Sequence, residues 1–220
     1  MSVTTNSSGR SPFRVTVWET MKRLILASSS SRRQQILSLL GLKFQVMPSH
    51  LSEEHPVSSR RKLAPSKIAE KLALRKAKEV SERFSEGLVI GADTIVALPT
   101  TERGKLKFEI IGKPKTVKEA KEILRRLGGT SHEVYTGVAI VDAKTGRKVV
   151  GHEVSRVKMK KLTSREISTI SRMHLDKAGA YGVKEKNDAF VKLLEGSLDN
   201  VMGMPRKLLK ELLEKFSVEV

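Results

Sequence analysis

Residues 88–98 read Leu-Val-Ile-Gly-Ala-Asp-Thr-Ile-Val-Ala-Leu and form the longest apolar run in the chain. A run of this length predicts a buried strand, and it is too short to span a bilayer. Asp93 is the charged residue that interrupts it. A carboxylate inside an apolar strand costs several kcal/mol unless it is paired or binds a metal. Asp93 therefore forms a buried ion pair, for which Lys76 is a candidate partner, or it serves as a metal ligand or general base.

Helices and strands are predicted on both sides of this run. Strand patterns occupy 24–27, 44–48, 108–111, 134–141, 149–159 and 189–194, and helical patterns occupy 31–40, 66–84, 116–127, 163–173 and a segment that begins at Pro205. The polar residues 100–104 predict a turn that joins the central run to 108–111 as a hairpin. Because βα alternation and hairpins both occur, we expect an α/β fold with a mixed sheet.

The amino-acid composition excludes several functional classes but does not identify one. The 220-residue chain has 42 Lys plus Arg against 24 Asp plus Glu, a formal net charge of +18 and no cysteine. Disulfides, a cysteine nucleophile and thiolate metal sites are thereby excluded, and a reducing compartment such as the cytoplasm is expected. The positive charge is consistent with an anionic partner, or with basic side chains that only keep the surface soluble. Neither a zinc-ligand spacing of histidines, a Walker motif nor a G-x-S-x-G elbow is present.

The first residues differ in composition from the rest. Residues 1–20 are rich in Ser and Thr and include Arg10, Arg14 and a single acid. We predict a disordered N-terminal tail there, with an organelle-targeting segment as the alternative. Residues 21–220 are expected to form a single domain without a membrane span.

A cluster of serines and arginines follows the first predicted strand. Residues 27–33 read Ala-Ser-Ser-Ser-Ser-Arg-Arg, and Ser31 with Gln34 fits a capping box that would place Arg32 and Arg33 in the first helical turn. The N-terminal end of a helix carries partial positive charge, so two cations are unfavourable there unless an anion binds the free N–H groups. The two arginines therefore bind an anion, or both point into water.

Lys76 also lies where solubility does not explain it. It falls on the apolar stripe of the helix 66–84, between Leu72 and Val80. An ammonium on that stripe must reach a carboxylate, a ligand or water at the edge of the core. Weaker signals come from Gly112-Lys113-Pro114, where Gly and Pro restrain the backbone around one lysine, and from the small residues of 176–182, which suit either a pocket wall or an ordinary loop.

Taken in order, these segments resemble the Maf family of nucleoside triphosphate pyrophosphatases. The resemblance extends from about Lys22 to the terminal helix. The family motifs L-I-L-A-S-x-S-P-R-R, G-A-D-T, G-K-P, D-K-A-G-A-Y-G and V-M-G-x-P correspond to residues 24–33, 91–94, 112–114, 176–182 and 201–205. Ser31 replaces the motif proline, a change that we expect to affect only how the helix begins.

The resemblance implies a fold like that of the inosine-triphosphate pyrophosphatases, with an elongated mixed sheet, flanking helices and two lobes around a central cleft. It implies a homodimer that hydrolyses a nucleoside triphosphate to the monophosphate and pyrophosphate with Mg²⁺. Asp93 is then the proton acceptor and a metal ligand, and Glu53 is the second candidate for a metal-linked carboxylate. The phosphate-binding positions of the family fall on Ser28, Arg32 or Arg33, Lys76 and Lys113.

The resemblance also concerns which nucleotide base the site selects. The subgroup that prefers dTTP and UTP has Arg, Thr and Gln at three base-selecting positions, which fall here on Arg32, Thr94 and Lys184. Lys184 replaces the expected glutamine, so a different or modified purine nucleotide is the alternative substrate. A non-catalytic nucleic-acid-binding or cell-division regulatory module is the alternative from another functional class. The aromatic content of 4% disfavours nucleic acid, because base stacking needs aromatic side chains.

Overall fold

The computed structural model describes residues 22–51, 63–183 and 189–220. Its strands are β1 (Leu24–Leu26), β2 (Phe44–Val46), β3 (Leu88–Glu102), β4 (Lys105–Ile111), β5 (Ser131–Asp142), β6 (Lys148–Met159) and β7 (Val191–Glu195). Its helices are α1 (Ser31–Leu39), α2 (Pro65–Ser81), α3 (Val117–Leu127), α4 (Ser164–Met173), α5 (Leu198–Val201) and α6 (Arg206–Glu214). A 3-10 turn, Ala178–Ala180, follows α4.

The seven strands form one mixed sheet in the order β2-β1-β3-β5-β6-β7, with β4 paired to the far end of β3. β1 is parallel to β2 and β3, and the remaining pairs are antiparallel. The predicted α/β fold with a mixed sheet flanked by helices is confirmed. None of the helices in the three described ranges is long and apolar enough to cross a bilayer.

The central run extends further than its apolar residues indicate. β3 continues to Glu102, which pairs with Lys105, and only Arg103 and Gly104 form the turn, with φ of 51° and 73°. Two positive φ values suit the tight hairpin turn whose twist matches that of the strands. The predicted five-residue turn at 100–104 was therefore too long, because β-branched and charged residues on an exposed ribbon still pair their backbones.

Helix α2 lies directly against the backbone of β3 and β5. A Cβ atom added to Gly91 would lie 2.3 Å from the carbonyl oxygen of Ala73, and one added to Gly137 would lie 2.4 Å from that of Ala69. The two glycines and the small alanines of the helix thus permit a contact that larger side chains would prevent. The sheet-facing side of α2, including Lys76, is held close to the middle of β3.

On the opposite face of the sheet the core is divided in two. One cluster contains Leu24, Ile36, Ile90 and Leu213, where α1 and α6 pack, and the other contains Val96, Leu124, Val134 and Ile170, where α3 and α4 pack. Polar Thr94 and Thr136 face each other across β3 and β5 between the clusters. The sheet therefore has an apolar core at each end and a polar zone at its middle.

A gap at one edge of β3 coincides with this polar zone. β1 pairs with β3 only as far as Ile90, and β4 pairs with it from Val96 onward. Within the described ranges, residues 91–95 therefore have a strand neighbour only on the β5 side. We call this interval the β3 gap. Asp93 and Thr94 lie at its centre, so the gap positions the site.

Candidate active site

A cavity of about 280 Å³ opens at the β3 gap. Its walls come from the serine-arginine segment that begins α1, from β3, from the segment after β4, from residues 176–183 and from the end of α5. Among the residues predicted from the sequence, the following line it: Ser28, Arg32, Arg33, Asp93, Thr94 and Lys113. Lys76 is not part of the lining and reaches the site through its ion pair with Asp93. Glu53 and Lys184 lie outside the described residues.

Lys76 and Asp93 form a buried ion pair. Lys76 Nζ lies 2.7 Å from Asp93 Oδ1, and the side chains are only 8% and 7% exposed. Lys76 faces the core, as its place on the apolar stripe predicts, and of the two alternatives for Asp93 the ion pair with Lys76 is present. The second carboxylate oxygen, Asp93 Oδ2, is buried and has no hydrogen-bond partner within the described residues. One oxygen of Asp93 is thus fixed by α2, the other has no partner among the described residues, and Asp93 belongs to the cavity lining.

Arg33 is held by protein groups on three sides. It donates from Nε to the carbonyl oxygen of Gly203 at 2.9 Å, from Nη1 to Ser28 Oγ at 3.0 Å and from Nη2 to Thr94 Oγ1 at 3.3 Å. Its residue exposure is 9%. The alternative that both arginines point into water is therefore wrong for Arg33. The first turn of α1 is tied to β3 and to the loop after α5.

The start of α1 also differs from its predicted capping. Ser30 is the N-cap and makes no side-chain cap hydrogen bond, and the first turn contains no acid. Gln34 instead donates to the carbonyl oxygen of Ser29 at 3.2 Å. The predicted capping box between Ser31 and Gln34 is wrong, although Arg32 and Arg33 do lie in the first turn. Because side-chain caps are missing, the N–H groups of this turn remain suited to an anion.

Arg32 is half-buried on the cavity wall, beside a second guanidinium. Burial and then the charge of Arg33 lower its pKa, while Asp176 acts in the opposite direction. Although burial opposes this, Lys177 and Arg32 hold the pKa of the Asp176 carboxyl below its ordinary value. Cationic residues on the wall (Arg32, Arg33, Lys113 and Lys177) outnumber the acids Asp93 and Asp176. The net positive charge of the lining favours a bound anion.

A buried hydrogen-bond network behind the wall was not predicted from the sequence. Thr94 and Thr136 are linked at 3.0 Å, and Thr136 donates to the carbonyl oxygen of Asn200 at 2.8 Å. Asn200, which is fully buried, donates to Val134 at 3.0 Å and to Ser155 at 2.9 Å. This network fixes α5 beneath the sheet, and with it the carbonyl that Arg33 contacts.

The carboxylates at the cavity meet part of the needs of a divalent cation. The described residues contain no group of three or more His, Asp or Glu side chains that could hold a metal ion. Mg²⁺ commonly binds through one or two carboxylates, with waters and substrate phosphates as its other ligands. The orphaned Oδ2 of Asp93 beside a cationic cavity fits that mode, in which the substrate supplies part of the coordination.

Comparisons with known proteins show the family to which the chain belongs. The family model for Maf-like protein matches residues 23–216. A dTTP/UTP pyrophosphatase of Pelotomaculum thermopropionicum is 42% identical over 202 residues, covering 91% of this chain and 100% of that protein. One from Elusimicrobium minutum is 38% identical over 194 residues, covering 88% of this chain and 98% of that protein.

A solved nucleoside-triphosphatase, or dITP/XTP pyrophosphatase, from Mycobacterium abscessus has a TM-score of 0.38 and 15% identity, covering 69% of this chain and 94% of that one. The family assignment depends instead on the two sequence comparisons, which cover nearly the whole chain. The match over residues 23–216 includes all five motifs around the β3 gap, and the chain therefore belongs to the Maf-like protein family.

Proposed function

We propose that this protein is a nucleoside triphosphate pyrophosphatase that converts its substrate to the monophosphate and pyrophosphate. The observation that carries the proposal is the buried Lys76–Asp93 pair at the floor of a cavity lined by additional cations. The relatives named dTTP/UTP pyrophosphatase support both the reaction and a preference for those two nucleotides.

In the proposed reaction Asp93 is the general base. Lys76 holds Oδ1, and Oδ2, which has no partner among the described residues, is proposed to face a water molecule in the cavity. As the water oxygen bonds to the α-phosphorus, Oδ2 accepts its proton, and the bond from that phosphorus to the bridging oxygen breaks. Pyrophosphate leaves with the bonding electron pair. A positioned base of this kind contributes about 10²–10⁴-fold to the rate.

The cations have separable parts in this reaction. Lys113, which follows β4, and Arg32, in the first turn of α1, both line the cavity. Both are proposed to bind phosphate oxygens and to neutralise charge that builds up there, the kind of stabilisation that dominates phosphoryl transfer. Arg33 is proposed to add charge to the wall while holding Ser28 and Thr94 in position, since its described bonds are to protein groups.

A divalent cation, proposed to be Mg²⁺, would be held by Asp93 and Glu53, and it would polarise the phosphate and lower the pKa of a bound water. The chain's own residues still determine where the substrate lies. Thr94 lines the cavity beside the side chain of Arg33, and with Arg32 and Lys184 it is proposed to contact the base. We further propose a cytoplasmic homodimer.

A panel of nucleoside triphosphates tests the proposal. Released pyrophosphate is measured with and without Mg²⁺ for dTTP, UTP, the other common triphosphates and modified purine triphosphates. We expect release from dTTP and UTP that depends on the cation. A higher kcat/KM for a purine would replace the pyrimidine assignment. If no triphosphate released pyrophosphate, the proposed function would be wrong.

A further inference from the structure

One wall of the cavity is a strained loop. Residues 176–182 contribute Asp176, Lys177, Ala178 and Tyr181 to the lining. Within this wall loop, Gly179 and Ala180 have φ of 76° and 59°. Alanine rarely adopts positive φ, and such a residue persists only where its surroundings hold it there. Ala180 is fully buried, so contacts around it must maintain this conformation.

One hydrogen bond to the segment after β4 and one packing contact inside the loop define its shape. The N–H of Gly179 donates to the carbonyl oxygen of Gly112 at 3.2 Å, next to Lys113. The side chain of Tyr181 folds over Gly179, where an added Cβ would lie 2.8 Å from the tyrosine ring. The loop therefore depends on where the tyrosine ring is anchored.

The anchor is a histidine on β5. His132 Nε2 and the Tyr181 hydroxyl are 2.8 Å apart, and the rings meet edge to face at 73° with centroids 5.5 Å apart. His132 is 0% exposed and Tyr181 is 6% exposed. Burial lowers the pKa of His132 to about 4 and raises that of Tyr181, so both stay uncharged near neutral pH. The pair is a fixed neutral hydrogen bond in the larger of the two apolar clusters.

We propose that His132 is a positioning residue for the substrate site. Through the Tyr181 hydroxyl it holds the wall loop at a set distance from β3, and it touches no reacting atom. The inference rests on the proposed function, because it concerns how tightly the same cavity holds its nucleotide. Losing the hydrogen bond should loosen the wall while the Lys76–Asp93 pair, on the opposite face of β3, keeps its geometry.

The experiment compares Tyr181→Phe, His132→Phe and the double variant, with dTTP as substrate. We expect each single variant to raise KM about three- to tenfold with kcat within about twofold, as the loss of one buried hydrogen bond predicts. The double variant should be no worse than either single variant, because both remove the same bond. His132→Gln, which retains a hydrogen-bonding group, should recover part of the lost affinity.

Tyr135→Phe is the matched control. Tyr135 lies on β5, the strand that carries His132, and its side chain is on the face away from the wall loop. The substitution removes a hydroxyl that donates to Glu133 at 2.5 Å. Its KM and kcat should equal those of the unmodified protein. Thermal unfolding of every variant distinguishes a loosened wall loop from a general loss of stability. The double variant should regain stability, because replacing both partners by apolar rings of similar shape leaves no unpaired polar group, but it still lacks the hydrogen bond.

Unchanged KM in both single variants would overturn the proposal. So would a fall in kcat at constant KM, which would move the hydroxyl into the chemistry. Amide hydrogen exchange in residues 176–182 gives a readout that needs no activity, and Tyr181→Phe should accelerate it. If the unmodified protein hydrolysed no triphosphate, the proposed function would fail, while the exchange comparison would still decide whether the pair holds the loop.

Discussion

Substitutions in the Lys76–Asp93 pair should change the stability and the activity of the protein in different ways. The side chains are 8% and 7% exposed, so removal of either charge leaves the other in a poorly solvated place. Breaking a buried pair by removing one partner costs about 3–5 kcal/mol. Lys76→Met should fall in that range, because both oxygens of Asp93 then lack a described partner. Asp93→Asn should cost less, about 2–3 kcal/mol, because the amide oxygen can still accept from Nζ.

The assay is a double-mutant cycle followed by chemical and thermal unfolding. For a chain of this length 1 kcal/mol corresponds to about 2–4 °C in Tm, so Lys76→Met should lower Tm by roughly 6–20 °C. The double variant Lys76→Met/Asp93→Asn carries no unpaired charge and should be more stable than the sum of the single effects implies. Pyrophosphate release should fall about 10²–10⁴-fold in Asp93→Asn and should not recover in the double variant, because the base is still missing.

An exposed ion pair provides the control. Arg126 and Glu109 are paired at 44% and 46% side-chain exposure, so Glu109→Gln should change the unfolding free energy by less than about 1 kcal/mol. If Lys76→Met were as stable as the unmodified protein, or if the two single effects simply added, the buried pair would not be the electrostatic unit described above. Activity retained in Asp93→Asn would remove that residue from the chemistry.

Three other changes have defined outcomes. Arg33→Lys keeps the charge but loses the branched donors that reach Ser28 and two other acceptors. KM should therefore rise about tenfold or more in a steady-state assay. An unchanged KM would show that the branched contacts are dispensable. Gly91→Ala places a Cβ 2.3 Å from the Ala73 carbonyl oxygen, so the free energy of unfolding should fall by about 1–3 kcal/mol and kcat should fall as well. A urea unfolding curve that shows unchanged stability would contradict the close helix contact. His132 has its pKa lowered to about 4 by burial, so only the unfolded chain takes up its proton between pH 6.5 and 4. The contribution of His132 to the unfolding free energy should therefore decrease by about 3 kcal/mol from pH 6.5 to pH 4, and His132→Gln should remove that part of the decrease in urea titrations.

The central strand and its charged pair could be predicted because packing alone makes them conspicuous. Asp93 interrupts an apolar run, and helical periodicity places Lys76 on the buried stripe. Their partnership follows once the helix covers the strand, as it does through Gly91. Sequence patterns report burial well, and a buried charge requires a partner.

The network around Arg33 and the histidine anchor could not be predicted in the same way. Arg33 contacts Gly203, which is 170 residues away, and no local pattern encodes such a contact. A usable signal did exist for His132, because strand alternation places it on the same face as Val134 and Val138. A histidine on an inward face requires a buried polar partner, yet the alternation does not say that this partner is Tyr181.

The contact between α2 and the sheet has a consequence for how natural variation in this chain should be interpreted. The reach of a lysine side chain is fixed, so Lys76 meets Asp93 only while the helix stays at its present height above β3. Gly91 and Gly137 set that height, although neither is a residue of the cavity lining. A substitution at either glycine would be classified from its position as a folding defect. Its first measurable effect should nevertheless be a misplaced carboxylate, and enlargement at Ala69 or Ala73 should produce the same phenotype.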